Sequence, residues 1–315
     1  EGRHARFIVS AGGTRTPAVA FGCEGRLSVK LGEPADATFR LERNAWNGTV
    51  EPRLVLREAW PSQPEEIEVV GDPEEYLAGV IGELDRVLEL PAPASGEHER
   101  TVLDRRGSSP LAALADALAA GGGVVAVCSD VPRRLCGLSP RTGGFSIVSY
   151  HALESAPELA SAFEHVVALD PPASTGQQAL LRAGSGFTHL TWGEAELRFA
   201  KQMHELEYGL RASLVALYRD LRSRGRVAGE ELERLLRGEG SQGRPARLAG
   251  RLIRVLAELE LVSLDRDLPA LAVAGTAHTA LERSTAFRVY AKRYEDGRRF
   301  LSNASPAPSS VAQRR

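Results

Sequence analysis

The chain has 315 residues, 43% of them hydrophobic and 25% charged, with a net charge of −2, an ordinary balance for a globular protein. That length exceeds one compact core and predicts two or three domains. No run of about 18 apolar residues and no N-terminal leader pattern occurs, so no membrane-spanning helix and no secretion signal are expected in this stretch of sequence.

Cys23, Cys128 and Cys136 form no CxxC pair and have no histidine at metal-ligand spacing. They are read as free thiols in a reducing, cytoplasmic compartment. The chain opens on Glu1 and its only methionine is Met203, so it is read as the C-terminal portion of a longer polypeptide. Charge is uneven. Residues 61–107 carry four Lys/Arg and twelve Asp/Glu, whereas residues 194–315 carry twenty-two and sixteen.

Residues 1–62 read as all-β. Strand-like runs "RHARFIVS", "RTPAVAFG", "ATFRLERN" and "VEPRLVLREAW" are separated by a Gly-containing turn and by Asn47-Gly48. They suit a small barrel or an open sheet. Phe39 and Leu41 alternate with Arg40 and Glu42, and Leu54 and Leu56 with Arg53, Val55 and Arg57, so one face is apolar and the other carries guanidinium groups. Arg40, Arg43, Arg53 and Arg57 suit phosphates, and Trp46, beside Asn47, suits stacking on a base. The competing reading buries Trp46 in a core and leaves the arginines solvated.

Residues 63–107 read as an acidic helix within "DPEEYLAGVIGELDRVLEL" followed by the linker "PAPASGEHER". Over residues 108–193, helix alternates with the apolar runs "GGGVVAVCSD", "GFSIVSYHAL", "EHVVALDPP" and "GFTHLTW", which indicates a parallel, Rossmann-like sheet buried on both faces. Asp130, His151, Asp170 and Trp192 fall at the carboxyl ends of these strands, where such sheets bind ligands. No GxxxxGK[ST], no GxGxxG after a strand, no GxSxG and no DHH occurs, and the seven histidines are scattered, so neither a catalytic residue nor a metal set can be assembled.

Residues 194–302 read as helical, with a long first segment that is one helix or two, then "AGEELERLLRG", then "RPARLAGRLIRVLAELELV", then a ribbon and a last helix. Three helices followed by a ribbon suit a winged helix. Arg244, Arg247, Arg251 and Arg254 step by three, four and three along the third helix and share a face. That face suits phosphates or an acidic peptide, the alternative being a solvated surface stripe. Residues 303–315 read as a disordered tail.

The stretch "FRLERNAWNGTVEPRLVLREAW" at 39–60 resembles the OB-fold segment of RecJ, the bacterial single-stranded-DNA-specific 5′→3′ exonuclease family, through Glu42, Asn44, Trp46, Asn47, Gly48 and Glu58. The A-F-G element at Ala20, Phe21 and Gly22 is similar to the end of the preceding strands. Residues 108–290 resemble, more weakly, the extra C-terminal domain of longer RecJ proteins. The resemblance implies an OB-like barrel, a degenerate helicase-like α/β lobe and a winged-helix-like region serving DNA repair and recombination. It implies that single-stranded DNA is held by the barrel and that the acidic tail of single-strand-binding protein is a partner. It also implies that hydrolysis, with its Mn or Mg ion, belongs to DHH and DHHA1 domains elsewhere in the same polypeptide, so that this piece has no nuclease activity alone. Two other readings stand beside it: a stand-alone nucleic-acid-binding adaptor, and an α/β enzyme acting near Asp170.

Overall fold

The computed structural model describes residues 3–11, 14–46, 49–62, 65–71, 75–88, 99–139, 142–238, 243–276 and 279–306. The first strands are β1 (His4–Ala11), β2 (Thr14–Phe21), β3 (Ala35–Trp46) and β4 (Thr49–Pro61). They form one sheet in the order β1-β2-β4-β3. The two hairpins are antiparallel, and β2 meets β4 in parallel at Ala18–Leu54 and Val19–Val55. This is an open sheet, not a closed barrel, with β1 and β3 at its edges. Few side chains are buried in it: Ala18, Ala20 and Val55 are, whereas Leu41 is 69% and Ile8 65% exposed.

The acidic segment that follows does more than link. It supplies β5 (Glu68–Val69) and α1 (Tyr76–Asp85). Next come β6 (Thr101–Asp104), α2 (Pro110–Ala120), β7 (Val124–Cys128), α3 (Val131–Leu138), β8 (Ser146–Ser149), α4 (Tyr150–Ser155), β9 (His165–Ala168), α5 (Thr175–Arg182) and β10 (Phe187–Leu190). The strands make a six-stranded parallel sheet, β5-β8-β7-β9-β10-β6. It therefore reaches back beyond residue 108 to take in β6 and β5. Most of the expected linker, residues 91–98, lies outside the described residues.

Alternation explains the continuous apolar runs. Val124, Ala126, Cys128, Ile147 and Val167 pack with Leu114 and Ala117 of α2 and Val131 and Leu138 of α3 on one face. Val125, Val127, Val148 and Ala168 pack with Leu153 of α4 and Leu181 of α5 on the other. Local signals start the helices: Ser109 accepts the Ala112 N–H with Pro110 in the first turn, and Asp130, Ser149 and Ser174 cap α3, α4 and α5 in the same way.

The last part holds α6 (Glu194–Tyr208), α7 (Leu210–Arg224), β11 (Arg226–Ala228), α8 (Gly229–Arg237), α9 (Ala246–Glu258), β12 (Val262–Asp265), β13 (Ala270–Val273) and α10 (Thr285–Asn303). Of the two expected alternatives for the long first segment the structure has two helices, meeting at Gly209, where a Cβ would stand 2.6 Å from the Glu205 carbonyl oxygen. The strands pair antiparallel in the order β11-β13-β12. Leu248, Leu252, Val255 and Leu256 of α9 join Leu214, Leu217 and Leu221 of α7 and Leu232, Leu235 and Leu236 of α8 in one core, together with Val80 of α1. Residues 307–315 of the expected tail lie outside the described residues. No helix among the described residues is long and apolar enough to cross a membrane.

Gly250 lets α1 lie against α9, because a Cβ there would meet Glu83 Cβ at 2.7 Å and the Val80 carbonyl oxygen at 2.8 Å. Gly250→Leu is expected to destabilise the fold by about 1–3 kcal/mol through overpacking, measured as a shifted urea midpoint. An unchanged midpoint would contradict the close α1–α9 contact.

Candidate nucleic-acid interface

Pairing register assigns the faces of the first sheet. Arg6, Val19, Val55 and Arg40 fall in one row across all four strands. Alternation adds Arg15, Arg53, Glu42 and Glu51 to that face and the pairing of Thr38 adds Glu58, whereas Arg57 is the extra residue of a bulge in β4, opposite the step from Thr38 to Phe39. Leu41 and Leu54 pair on the opposite face, beside Ala18, and Arg43 belongs there by the same alternation. Glu42 occupies two of the arginines. Arg53 donates to it at 2.9 Å and to Asn44 Oδ1 at 3.3 Å, and Arg40 also pairs with it. The Arg53 hydrogen bond, seconded by Arg40, holds the Glu42 carboxyl below its usual range.

Arg6, Arg15 and Arg57 are exposed and have no hydrogen-bond or ion-pair partner among the described residues. Two aromatics belong to this face as well. Phe21 is 50% exposed, with the Arg53 guanidinium 5.6 Å from its ring centre, and Trp60 is 45% exposed and pairs with Asp36. Trp46 ends β3, paired with Thr49, and its side chain lies outside what is described, as does Asn47. Sequence reasoning assigned no contact role to Arg6, Arg15, Phe21 or Trp60. The signal for the arginines was present, since Arg6 alternates with Phe7 and Arg15 with Thr16.

The arginine stripe is where the structure departs most from expectation: Arg244 precedes α9, which begins at Ala246, so only Arg247, Arg251 and Arg254 lie on that helix. The stripe is turned inward, not toward solvent. Arg251 is 1% exposed. It donates to Glu83 Oε1 at 3.0 Å and to Glu207 Oε2 at 3.3 Å, and lies over the Tyr208 ring at 4.2 Å. Arg247 donates to Glu207 Oε1 at 2.8 Å, to the Ser129 carbonyl at 2.8 Å and to Asp130 Oδ2 at 3.3 Å. Arg254 caps the end of α1 through the Glu83, Leu84 and Arg86 carbonyls, and Arg244 caps α8 through the Leu235 and Leu236 carbonyls. The physical reason is the acidic spacer: α1 covers the helix face and brings Glu83, while α6 brings Glu207.

The network extends to the strand ends. His151 Nε2 lies 3.1 Å from Glu83 Oε2, and Arg86 donates to the His151 carbonyl at 3.1 Å and to Glu154 at 3.0 Å. Burial would raise the Glu83 carboxyl, but Arg251, His151 and Arg86 outweigh it and hold it well below the usual range. Burial pushes His151 down to about 4 against the pull of Glu83.

Among the other strand-end candidates, Asp170 is fully buried, accepts the Ser129 N–H at 2.9 Å and pairs with Arg134, whose guanidinium stacks 4.1 Å from the Phe199 ring centre. Burial raises its carboxyl, with Arg134 opposing. β7 and β9 are neighbours whose connections diverge, so the crevice between their ends is the usual ligand position. Here the Arg134–Asp170 pair fills it. Asp130 is committed to Arg133 and Arg247, and the Trp192 indole N–H donates to the Ser305 carbonyl at 3.1 Å. Among the described residues, no three His, Cys, Asp or Glu side chains gather where they would hold a metal ion.

Arg251→Ala is expected to cost about 3–5 kcal/mol, because it leaves the buried Glu83 carboxylate without its guanidinium partner; Arg251→Met combined with Glu83→Gln is expected to cost less. Equal stability of Arg251→Ala and wild type in urea would contradict the internal network. A second expectation concerns acid. His151 and His189 both titrate at about 4 in the fold against an ordinary 6.5. The folded state thus favours neutral imidazoles, and the unfolded chain takes up protons first. Stability from this source is complete above pH 6.5 and is lost as pH falls toward 4. Urea midpoints that stay level across that window would contradict it. No protein family, curated protein or solved structure compared with this chain matches it.

Proposed function

We propose that the chain is a nucleic-acid-binding accessory region of a RecJ-type exonuclease, holding single-stranded DNA for a catalytic core carried elsewhere in the polypeptide. The carrying observation is the arginine-bearing face of the first sheet, where Arg6 and Arg15 are uncommitted on the same face as the exposed rings of Phe21 and Trp60, with Arg57 exposed at the bulge of β4. Cations that track phosphates and flat rings that accept a base are what non-specific single-strand binding requires. The β3–β4 hairpin forms over the stretch that resembles the RecJ OB segment, which supports the same reading. In this reading the four strands are an OB-like half-barrel and the six-stranded sheet is a Rossmann-like lobe whose crevice is closed by its own ion pair.

The order α7-β11-α8-α9-β12-β13 suits a winged helix. Its third helix would ordinarily face DNA, yet α9 is spent on internal partners, so the proposal gives it a structural role. Docking of a partner, including the acidic tail of single-strand-binding protein, belongs to the proposal without an assignment to Arg247 or Arg251.

The test is fluorescence anisotropy of a labelled single-stranded oligonucleotide. Arg6→Glu and Arg57→Glu are each expected to weaken binding by about tenfold, and Phe21→Ala by roughly 1–3 kcal/mol if a base stacks there. Three neutralised phosphates predict a log–log salt slope of about −2. Undiminished affinity in all three variants, or a flat salt response, would refute the sheet face as the contact surface.

A further inference from the structure

A second site lies outside the first sheet, toward the carboxyl ends of β6 and β10. A cavity of about 620 Å³ opens there between α5 and the end of α10. Its size is that of ordinary small-molecule pockets, and strand ends of parallel sheets are their usual position. The cavity arises because α5 covers β9 and β10 while β6 is the sheet edge, with only the last turn of α10 reaching over it.

The lining sorts into three chemistries. Val102, Leu181 and Leu190 give an apolar floor, and Trp192 and Phe300 add aromatic walls. Trp192 is held in place by its hydrogen bond to Ser305. Arg106 is fixed by Asp104 at 2.6 and 2.8 Å and by the Ser305 carbonyl at 3.3 Å, so its charge is already answered. Arg182 also lines the cavity, is exposed, and has no side-chain partner among the described residues. The same holds for the carboxamides of Gln178 and Asn303.

We propose that this cavity binds a nucleoside monophosphate. A flat heteroaromatic ring suits the apolar floor and the two aromatic walls. Uncommitted carboxamides offer one donor and one acceptor edge each, the pattern of a base edge. The one uncommitted guanidinium matches one phosphate. A triphosphate would need further cations or a cradle of backbone N–H groups, and the sequence has no glycine-rich phosphate loop after a strand. This inference is independent of the DNA-binding reading of the first sheet.

Isothermal titration of the full chain with AMP, GMP, CMP and UMP tests it, with adenosine and inorganic phosphate as controls and circular dichroism as the check on folding. At least one monophosphate is expected to bind about tenfold more tightly than adenosine or phosphate. Arg182→Glu is expected to remove about tenfold of that affinity and Gln178→Ala to alter the preference among bases. Arg57→Glu, on the first sheet, is expected to leave it unchanged. Absence of binding at millimolar nucleotide, equal binding of adenosine, or binding indifferent to Arg182→Glu would overturn the proposal. So would loss of binding in Arg57→Glu alone, which would move the nucleotide to the first sheet.

Discussion

Two buried guanidinium groups on α9 join the acidic spacer and the parallel sheet to the helical part of this molecule. Arg247 ties that helix to α6 through Glu207 and to the end of β7 through Ser129 and Asp130. Arg251 ties it to α1 through Glu83 and again to Glu207. Glu83 in turn reaches His151 after β8. A buried guanidinium is tolerated only when its donors are answered, and here carboxylates, carbonyls and tyrosine rings answer them. Such a lattice adds little net stability over apolar packing, but it admits few alternative arrangements of the elements it joins. The acidic spacer is stitched through it, with β5 in the parallel sheet and α1 on α9.

That commitment decides where free charge remains. The region with the largest cationic excess uses its most regular arginine row for its own interior. The crevice of the parallel sheet is similarly closed by Arg134 and Asp170. Among the described residues, uncommitted guanidiniums remain at Arg182, Arg198, Arg219, Arg226 and Arg234, and at Arg6 and Arg15 of the first sheet, where few side chains are buried and the exposed rings of Phe21 and Trp60 share their face. The division is physical: one part of the chain is held by internal ion pairs, and another presents cations and rings outward.

Much of the fold was legible from residue pattern. The runs that became β7, β8, β9 and β10 are apolar throughout because both faces of the sheet are covered. Ser109-Pro110 marks the start of α2, and the Phe39/Arg40/Leu41 alternation separates the faces of β3. The direction of the α9 stripe was not legible. Spacing puts Arg247, Arg251 and Arg254 on one face but does not show that the helix starts after Arg244 or what lies opposite, and the answering Glu83 is 168 residues from Arg251. β5 is two residues long, below the reach of any periodicity, so its segment reads as a linker. The candidate interface was half legible. Arg40 and Arg53 follow from alternation within one hairpin, the bulge that sets Arg57 out of register does not, and Arg6, Arg15 and Phe21 join them only through the β2–β4 pairing.

The division between an outward cationic sheet and an inward cationic helix is tested most directly by hydrogen–deuterium exchange with and without a single-stranded oligonucleotide. The account predicts added protection in β1, β2 and β4 and none in α9, whose amides are already shielded. Protection appearing in α9, with the first sheet unchanged, would contradict it.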